Sequence, residues 1–156
     1  MNQKIYHLAF EDDTLQDHII AIHSSIEAYQ IAFFLNQRLA ANFKRVDDIA
    51  FQDTPASFLM YEWENPLLDV TTTLFSNKAI HEQSPSKINN STLFELPLRN
   101  EVSLFPKFKQ VDFFIKSQDL HTIDMLLKPL NTWKSTSMVY KMPEEKIKNR
   151  LNLIFD

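Results

Sequence analysis

Two long stretches of the chain carry the hydrophobic spacing of an amphipathic helix, and each stands between short apolar runs. In the first, apolar residues recur every three or four positions over residues 28–43, which predicts a helix that reaches Lys44. Ser24 and Glu27 have the spacing of a capping box, so the start of this helix is predicted at the serine. The second helix is predicted after a capping Ser117. It is expected to end or kink just before Pro129, because proline lacks the backbone N–H that continues a helix.

The apolar runs beside these helices predict strands, so residues 18–52 and 111–141 each form a strand–helix–strand unit. The β-branched run His18–His23 predicts a strand that is buried on both sides. Residues 58–63 and 68–76 predict an antiparallel pair between the two units. Crossovers of this kind place their helices on one face of a sheet. The sequence therefore predicts an α+β fold, a mixed, mainly antiparallel sheet with two main helices on one face.

The length of 156 residues suits one domain, and 13 phenylalanines supply a substantial core. Residues 78–92 are polar and interrupted by proline, which predicts a mobile loop inside a single domain that spans residues 1–156. No apolar run approaches the ~18 residues of a membrane span, and the first residues match neither a signal peptide nor a lipidation motif. Cysteine is absent, which excludes disulfides and thiolate metal sites. These features predict a cytoplasmic protein without a membrane segment.

Glycine is also absent from the sequence, although about 7% is usual in proteins. Without glycine the chain cannot form a Walker A loop, a Rossmann fingerprint or a nucleophile elbow, which argues against most nucleotide-dependent enzymes. Asparagine is the next residue that tolerates the left-handed backbone region. The asparagines at expected breaks are therefore interpreted as turn residues: Asn65, Asn77, Asn89, Asn90, Asn100 and Asn131.

Asp112 is the strongest candidate for chemistry, because it lies among apolar residues in a predicted central strand. A partly buried carboxylate needs a partner, or its pKa rises. We interpret Asp112 chiefly as a structural residue that bonds a backbone amide or pairs with Arg45 or a lysine. A role as general base or ligand contact is the functional alternative. No catalytic residue is assigned, since no nucleophile with a partner base can be identified.

Lys107, Lys109 and Arg45 are the candidate binding residues. The two lysines interleave with phenylalanines in residues 105–116, a mixture that can stack single-stranded bases. Strand alternation favours a simpler interpretation, in which the phenylalanines belong to the core and the lysines face away from it. The net charge of −4 lacks the basic excess that is typical of duplex-binding proteins.

The five histidines and the acidic stretches do not have the spacing of a metal site. No pair of histidines is four residues apart on a helix, and the EF-hand pattern with its glycine is missing. The sequence therefore predicts neither a metal nor a cofactor.

Residues 105–113 resemble the signature of the IPExxxVDY family, a group of small bacterial proteins named for this motif. The match keeps Pro106, Val111 and Asp112, and it has Lys107 where the motif has glutamate. Other parts of the chain are similar to the family pattern in the same order, namely Ser24-Ser25, Tyr29, Leu35-Asn36, Arg45, Asp47-Asp48, Leu74, Asn77-Lys78 and Asn152–Phe155. The resemblance covers essentially the whole chain. It implies no activity, so it supplies no mechanism.

The favoured hypothesis from the sequence is a non-catalytic cytoplasmic module for binding or regulation, acting through a sheet face or an exposed sheet edge. Its partner is expected to be a protein or a second copy of the chain. An RNA-associated protein that uses residues 105–116 is the alternative, and an enzyme centred on Asp112 is less favoured.

Overall fold

The computed structural model describes residues 17–50, 56–83 and 98–143. The helices are α1 (Ala28–Leu39) and α2 (Leu120–Thr132), and a short 3₁₀ helix covers Pro106–Phe108. The strands are β1 (His18–His23), β2 (Lys44–Ala50), β3 (Ser57–Asn65), β4 (Val70–Ser76), β5 (Lys78–Gln83), β6 (Leu98–Ser103), β7 (Phe113–Ser117) and β8 (Met138–Met142). Within these ranges, no helix is long and apolar enough to cross a membrane.

Six of the strands form one sheet in the order β2-β3-β4-β7-β1-β8, and β5 pairs with β6 separately. Each pairing of these strands is antiparallel. The unit β7-α2-β8 crosses over β1, which lies between its two strands, and the unit β1-α1-β2 carries the chain to the far edge of the sheet. The predicted α+β fold with a mainly antiparallel sheet is confirmed.

Both helices lie on one face of the sheet, as predicted. Alternate residues of the central strands, such as Ile20, Leu74 and Ile115, share a core with the apolar side of α1 and of α2. The opposite face carries residues such as Ile19, Phe75 and Phe114, which pack against Leu104, Phe105 and Val111. β1 is therefore buried on both sides, in agreement with its β-branched sequence. The central strands are covered on both faces, so they offer no open face to a partner.

The ends of α1 differ from the sequence prediction. The N-cap is Glu27 rather than Ser24, and the Glu27 N–H donates to Gln30 Oε1 at 2.9 Å. The helix stops at Leu39, well before Lys44. The Asn36 side chain both donates to the backbone carbonyl of Phe43 and accepts from its N–H, which ties the following chain back onto the helix. Phe43 is therefore buried although it lies after the helix, just before β2, and not on the helical stripe that its spacing predicts.

Both ends of α2 also differ from the sequence prediction. Its N-cap is Asp119 rather than Ser117, and Asp119 Oδ2 accepts from the backbone N–H of Thr122 at 3.0 Å. The Thr122 hydroxyl donates to the same oxygen and holds the pKa of the Asp119 carboxyl below its usual value. The helix continues through Pro129 to Thr132, so it does not end before the proline. Leu130 is completely buried, and this burial holds the last turn in place.

Residues 78–83 form β5, so this part of the predicted loop 78–92 is wrong, and residues 84–92 lie outside the described ranges. In the part of the chain that is described, the left-handed backbone positions are Ala40 and Asp69, and no asparagine adopts that conformation. Asn65 does serve a turn, because its Oδ1 accepts from the Leu67 N–H at 3.1 Å. Asn89 and Asn90 are outside the described residues, Asn100 lies in β6 and Asn131 lies in α2.

Candidate functional site

Asp112 lies just before β7, at the end of the sheet where β1 finishes. Its backbone N–H donates to the Ile22 carbonyl at 3.0 Å, which extends the pairing of β7 with β1. The carboxylate makes two contacts: Oδ2 accepts from the Ser24 N–H at 2.8 Å, and Oδ1 lies 3.0 Å from Lys78 Nζ. Both carboxylate oxygens therefore have a partner inside the protein. The carboxylate thus has the two kinds of partner that the structural interpretation predicts, a backbone amide and a lysine.

The segment that leads into Asp112 is held by Asn77, whose side chain is completely buried between β4 and β5. Its Nδ2 donates to the carbonyls of Phe108 and Val111 at 2.9 and 2.8 Å, and its Oδ1 accepts from the Phe105 N–H at 2.8 Å. The Asn77 N–H also donates to the Asp112 carbonyl at 2.9 Å. One asparagine therefore fixes the whole turn that carries the resemblance to the family signature.

Beside Asp112 is a shallow polar cleft of about 440 Å³, lined by Ser24, Ser25 and the loop 134–137. Ser24 Oγ donates to the Ser135 carbonyl at 2.6 Å, so this hydroxyl is already used inside the protein. A serine nucleophile needs an adjacent base, and Asp112 is occupied by Lys78 and by the Ser24 amide. The cleft therefore lacks the pair of groups that would start acid–base or nucleophilic chemistry at Ser24.

The other predicted site residues do not gather around Asp112. Arg45 lies on the edge strand β2, where it forms an ion pair with Asp48 and lies over the Tyr61 ring at 5.7 Å. Of the two predicted partners, Asp112 therefore has a lysine and not Arg45, because β3 and β4 separate β2 from the strand that begins after Asp112. Pro106 begins the 3₁₀ helix and is exposed.

Lys107 and Lys109 are exposed, Phe108 between them is half-buried, and the other phenylalanines of this segment are buried. Phe105, Phe113 and Phe114 are all buried in the two cores. Base stacking requires exposed rings, so these three phenylalanines cannot provide a stacking surface. The burial of these three rings and the exposure of Lys107 and Lys109 match the simpler interpretation of the segment, whereas Lys116 is largely buried beside Asp17.

The histidines with described side chains do not form a metal site. No group of three or more His, Asp or Glu residues in the described ranges could hold a metal ion. His23 contacts the Tyr140 hydroxyl through Nε2 at 3.1 Å, across the pairing of β1 with β8.

A second candidate site lies on the outer side of α1, which we call the aromatic groove. It has a volume of about 770 Å³, and its aromatic lining consists of Tyr29, Phe33, Phe34, Phe43, Tyr61 and Trp133. Tyr29 and Phe33 are 60% and 61% exposed, whereas most large apolar residues of the described chain are buried. Phe34 stacks on Trp133 with ring centroids 3.9 Å apart, so one wall of the groove is preformed.

Sequence reasoning missed this groove, although one signal was present. Tyr29 and Phe33 are four residues apart, so they lie on the same side of α1. They fall outside the buried stripe of Ala28, Ile31 and Leu35. Two aromatic residues on the solvent-facing side of an amphipathic helix indicate a contact surface.

Comparisons with known proteins place no further constraint on this chain. No family model matches it, and no curated protein or solved structure gives a match.

Proposed function

We propose that this chain is a non-catalytic binding module whose contact surface is the aromatic groove. The observation that carries the proposal is the exposure of Tyr29 and Phe33, more than half of each side chain, beside a concave surface. Aromatic residues are enriched at the centres of protein interfaces, where they bury a large area at a low cost in conformational entropy.

The chemical character of the groove supports a protein partner. The exposed residues of α1 that surround Phe33 are Gln30 and Gln37, which are polar and uncharged. Interface cores are depleted of charged residues in the same way. The stacked Phe34 and Trp133 rings form a rigid wall, which lowers the cost of ordering side chains when a partner binds.

The polar side chains around Asp112 and Asn77 already have partners inside the protein, which supports the non-catalytic part of the proposal. Asp112 accepts from the Ser24 N–H and forms an ion pair with Lys78. Asn77 uses its full side chain to bond backbone groups. A cytoplasmic location, the relation to the IPExxxVDY family and the RNA-associated alternative stay predictions from the sequence.

Site-specific photocrosslinking tests the proposal. We would replace Phe33 with the photoreactive residue benzoylphenylalanine in the full chain and irradiate the protein at its native level in its own cells. The matched control carries the same residue at Leu67, which is 93% exposed in the turn between β3 and β4. We expect a discrete adduct at position 33 that saturates with partner concentration and is lost when Tyr29→Ala is added.

Adducts of equal yield and equal mass at positions 33 and 67 would contradict the proposal, because they would reflect random collision. No adduct at position 33 would also contradict it. Circular dichroism of the Tyr29→Ala protein must match that of the parent, so that loss of the adduct is not caused by unfolding.

A further inference from the structure

We propose that the turn between β3 and β4 of one copy of this chain inserts into a pocket beside α2 of a second copy. We call the turn, residues 64–69, the hairpin tip, and we call the pocket the α2 pocket. This inference goes beyond the proposed function, because neither surface includes Tyr29 or Phe33. Each copy carries one tip and one pocket, so the contact is heterologous and joins two different surfaces of the same molecule.

The hairpin tip presents two leucines to solvent. Leu67 is 93% exposed and Leu68 is 49% exposed. The turn that carries them is preformed, since the Asn65 side chain accepts from the Leu67 N–H and Pro66 fixes one backbone angle. A preformed turn loses little conformational entropy on binding, so burial of its leucines contributes efficiently to affinity.

The hairpin tip is acidic on both sides of its leucines. Glu64 and Asp69 are exposed, and residues 57–77 contain no lysine or arginine. Among the described residues, neither carboxylate has an ion-pair partner. A surface that is complementary to this tip therefore combines an apolar cavity with a basic rim.

The α2 pocket has the apolar cavity. Its volume of about 590 Å³ lies within the roughly 300–1,000 Å³ that is typical of pockets for small ligands. Leu39 at the end of α1 and Met125 and Leu127 of α2 supply apolar lining, and all three are only half-buried. The pocket therefore has room and apolar contacts for the leucines of the tip.

The rim of the α2 pocket carries an excess of positive charge. Lys128 and Lys141 line it together with one carboxylate, Asp124. Asp124 forms an ion pair with Lys141, whereas Lys128 is exposed and has no ion-pair partner within the described ranges. Lys128 is therefore available to a carboxylate of the tip, and the opposite charges of the two surfaces favour their encounter.

The small size of the contact sets its expected strength. One turn in one pocket buries less area than a standard protein interface, and small interfaces are typical of transient association. We expect a dissociation constant of roughly 10–100 µM. Two copies close into a dimer where both contacts form at once, and longer chains form where they do not.

Sedimentation velocity of the full chain over roughly 1–500 µM tests the association, a range that brackets this affinity. The tip variant carries Leu67→Ser and Leu68→Ser, at positions that are largely exposed in the folded protein. We expect it to weaken association at least about tenfold, because the apolar area of the tip is lost. Met138→Ser is the matched control, since Met138 is 56% exposed in β8 outside both surfaces, and we expect it to leave association unchanged.

The pocket variant carries His121→Glu and Lys128→Glu, which replace two exposed residues of the rim. The new carboxylates repel Glu64 and Asp69, so we expect association to weaken at least about tenfold. Lys134→Glu reverses an exposed charge away from both surfaces and is the matched control. We expect its dissociation constant to stay within about twofold of the wild-type value.

Mixing the two variants tests the pairing of tip and pocket directly. The tip variant keeps an intact α2 pocket, and the pocket variant keeps an intact tip. One contact therefore forms between the two proteins, although neither variant forms it with its own kind. We expect each variant alone to sediment as a monomer at concentrations where the equimolar mixture forms a heterodimer and nothing larger.

Four results would overturn the inference. These are a wild-type protein that is monomeric over the whole range, variants that associate as their controls do, a mixture that stays monomeric, and an association that is lost with Phe33→Ser but kept in the tip variant. Circular dichroism of each variant must match that of the parent. If the pocket variant does not match, Lys128→Glu alone replaces it, with the same expected heterodimer in the mixture. A monomeric wild type that still gives a saturable crosslink from position 33 overturns this inference and leaves the proposed function standing.

Discussion

Replacing Asn77 by alanine removes a buried side chain that bonds three backbone groups in the turn before β7. The Nδ2 group would no longer donate to the carbonyls of Phe108 and Val111, and the Phe105 N–H would lose its acceptor. The surrounding residues are apolar and packed, so the Phe105 N–H cannot readily turn to another partner.

The magnitude follows from these three bonds. Each contributes about 0.5–1.5 kcal/mol net, and a buried donor left without a partner costs about 1–3 kcal/mol. We therefore expect Asn77→Ala to lower the free energy of unfolding by about 3–5 kcal/mol. This is a large share of the roughly 5–15 kcal/mol that stabilises a typical domain.

Urea denaturation followed by far-ultraviolet circular dichroism and tryptophan fluorescence would measure this change. Asn131→Ala is the matched control, because Asn131 is exposed in α2 and alanine favours a helix. Its free energy of unfolding is expected to change by less than about 0.5 kcal/mol.

Asn77→Asp separates hydrogen bonding from side-chain size. The new carboxylate can still accept from the Phe105 N–H, but it faces the Phe108 and Val111 carbonyls with an acceptor in place of a donor. Burial raises the pKa of such a carboxyl, so the loss of stability grows as the pH rises above about 3.9. A cost below about 1 kcal/mol for Asn77→Ala, or a pH-independent cost for Asn77→Asp, would refute this account of the turn.

Three further changes test other parts of the fold. Asp119→Ala should cost about 1 kcal/mol at neutral pH through loss of the N-cap. Because the folded-state pKa of Asp119 is lowered, its charge contribution is present above the usual value of 3.8 and is lost as the pH falls through the folded-state pKa. The difference from wild type in urea denaturation should therefore shrink in acid, and a constant difference would contradict the role of the charge. Ala40→Gly should raise the melting temperature, with a gain of up to about 1 kcal/mol, because glycine relieves the left-handed backbone. Ala50→Gly in β2 should lower it, and equal effects would refute the reasoning. Asp112→Ala should cost about 1–3 kcal/mol in urea denaturation, because the Ser24 amide and Lys78 lose their acceptor. Asp112→Asn should cost less, since it keeps an acceptor for the amide, and equal costs would argue against that bond.

Local patterns in the sequence determined the kind and order of most elements. The apolar run of residues 19–22 identifies β1, and all four of these residues are buried in the structure. The spacing of Ala28, Ile31 and Leu35 identifies α1. These predictions succeeded because the periodicity of burial depends on neighbours within a few residues along the chain. That Asp112 would have partners was also predictable, because a carboxylate among apolar residues requires them.

The identities of those partners came only from the tertiary structure. Asp112 bonds Ser24, which is 88 positions away, and the side chain of Asn77 bonds groups up to 34 positions away. The polar strand β5 is defined by its pairing with β6, across residues for which the sequence has no strand pattern. Hydrogen-bonding partners distant in the chain leave no periodic trace, so sequence reasoning could not separate Lys78 from Arg45 as the partner of Asp112.

The aromatic groove was likewise determined partly by the sequence and partly by the tertiary structure. The sequence alone placed Tyr29 and Phe33 off the buried stripe of α1. Only the packed structure placed Phe43, Tyr61 and Trp133 beside them. A concave surface depends on the relative positions of separate elements, and those positions are set by core packing rather than by the local propensity of any one segment.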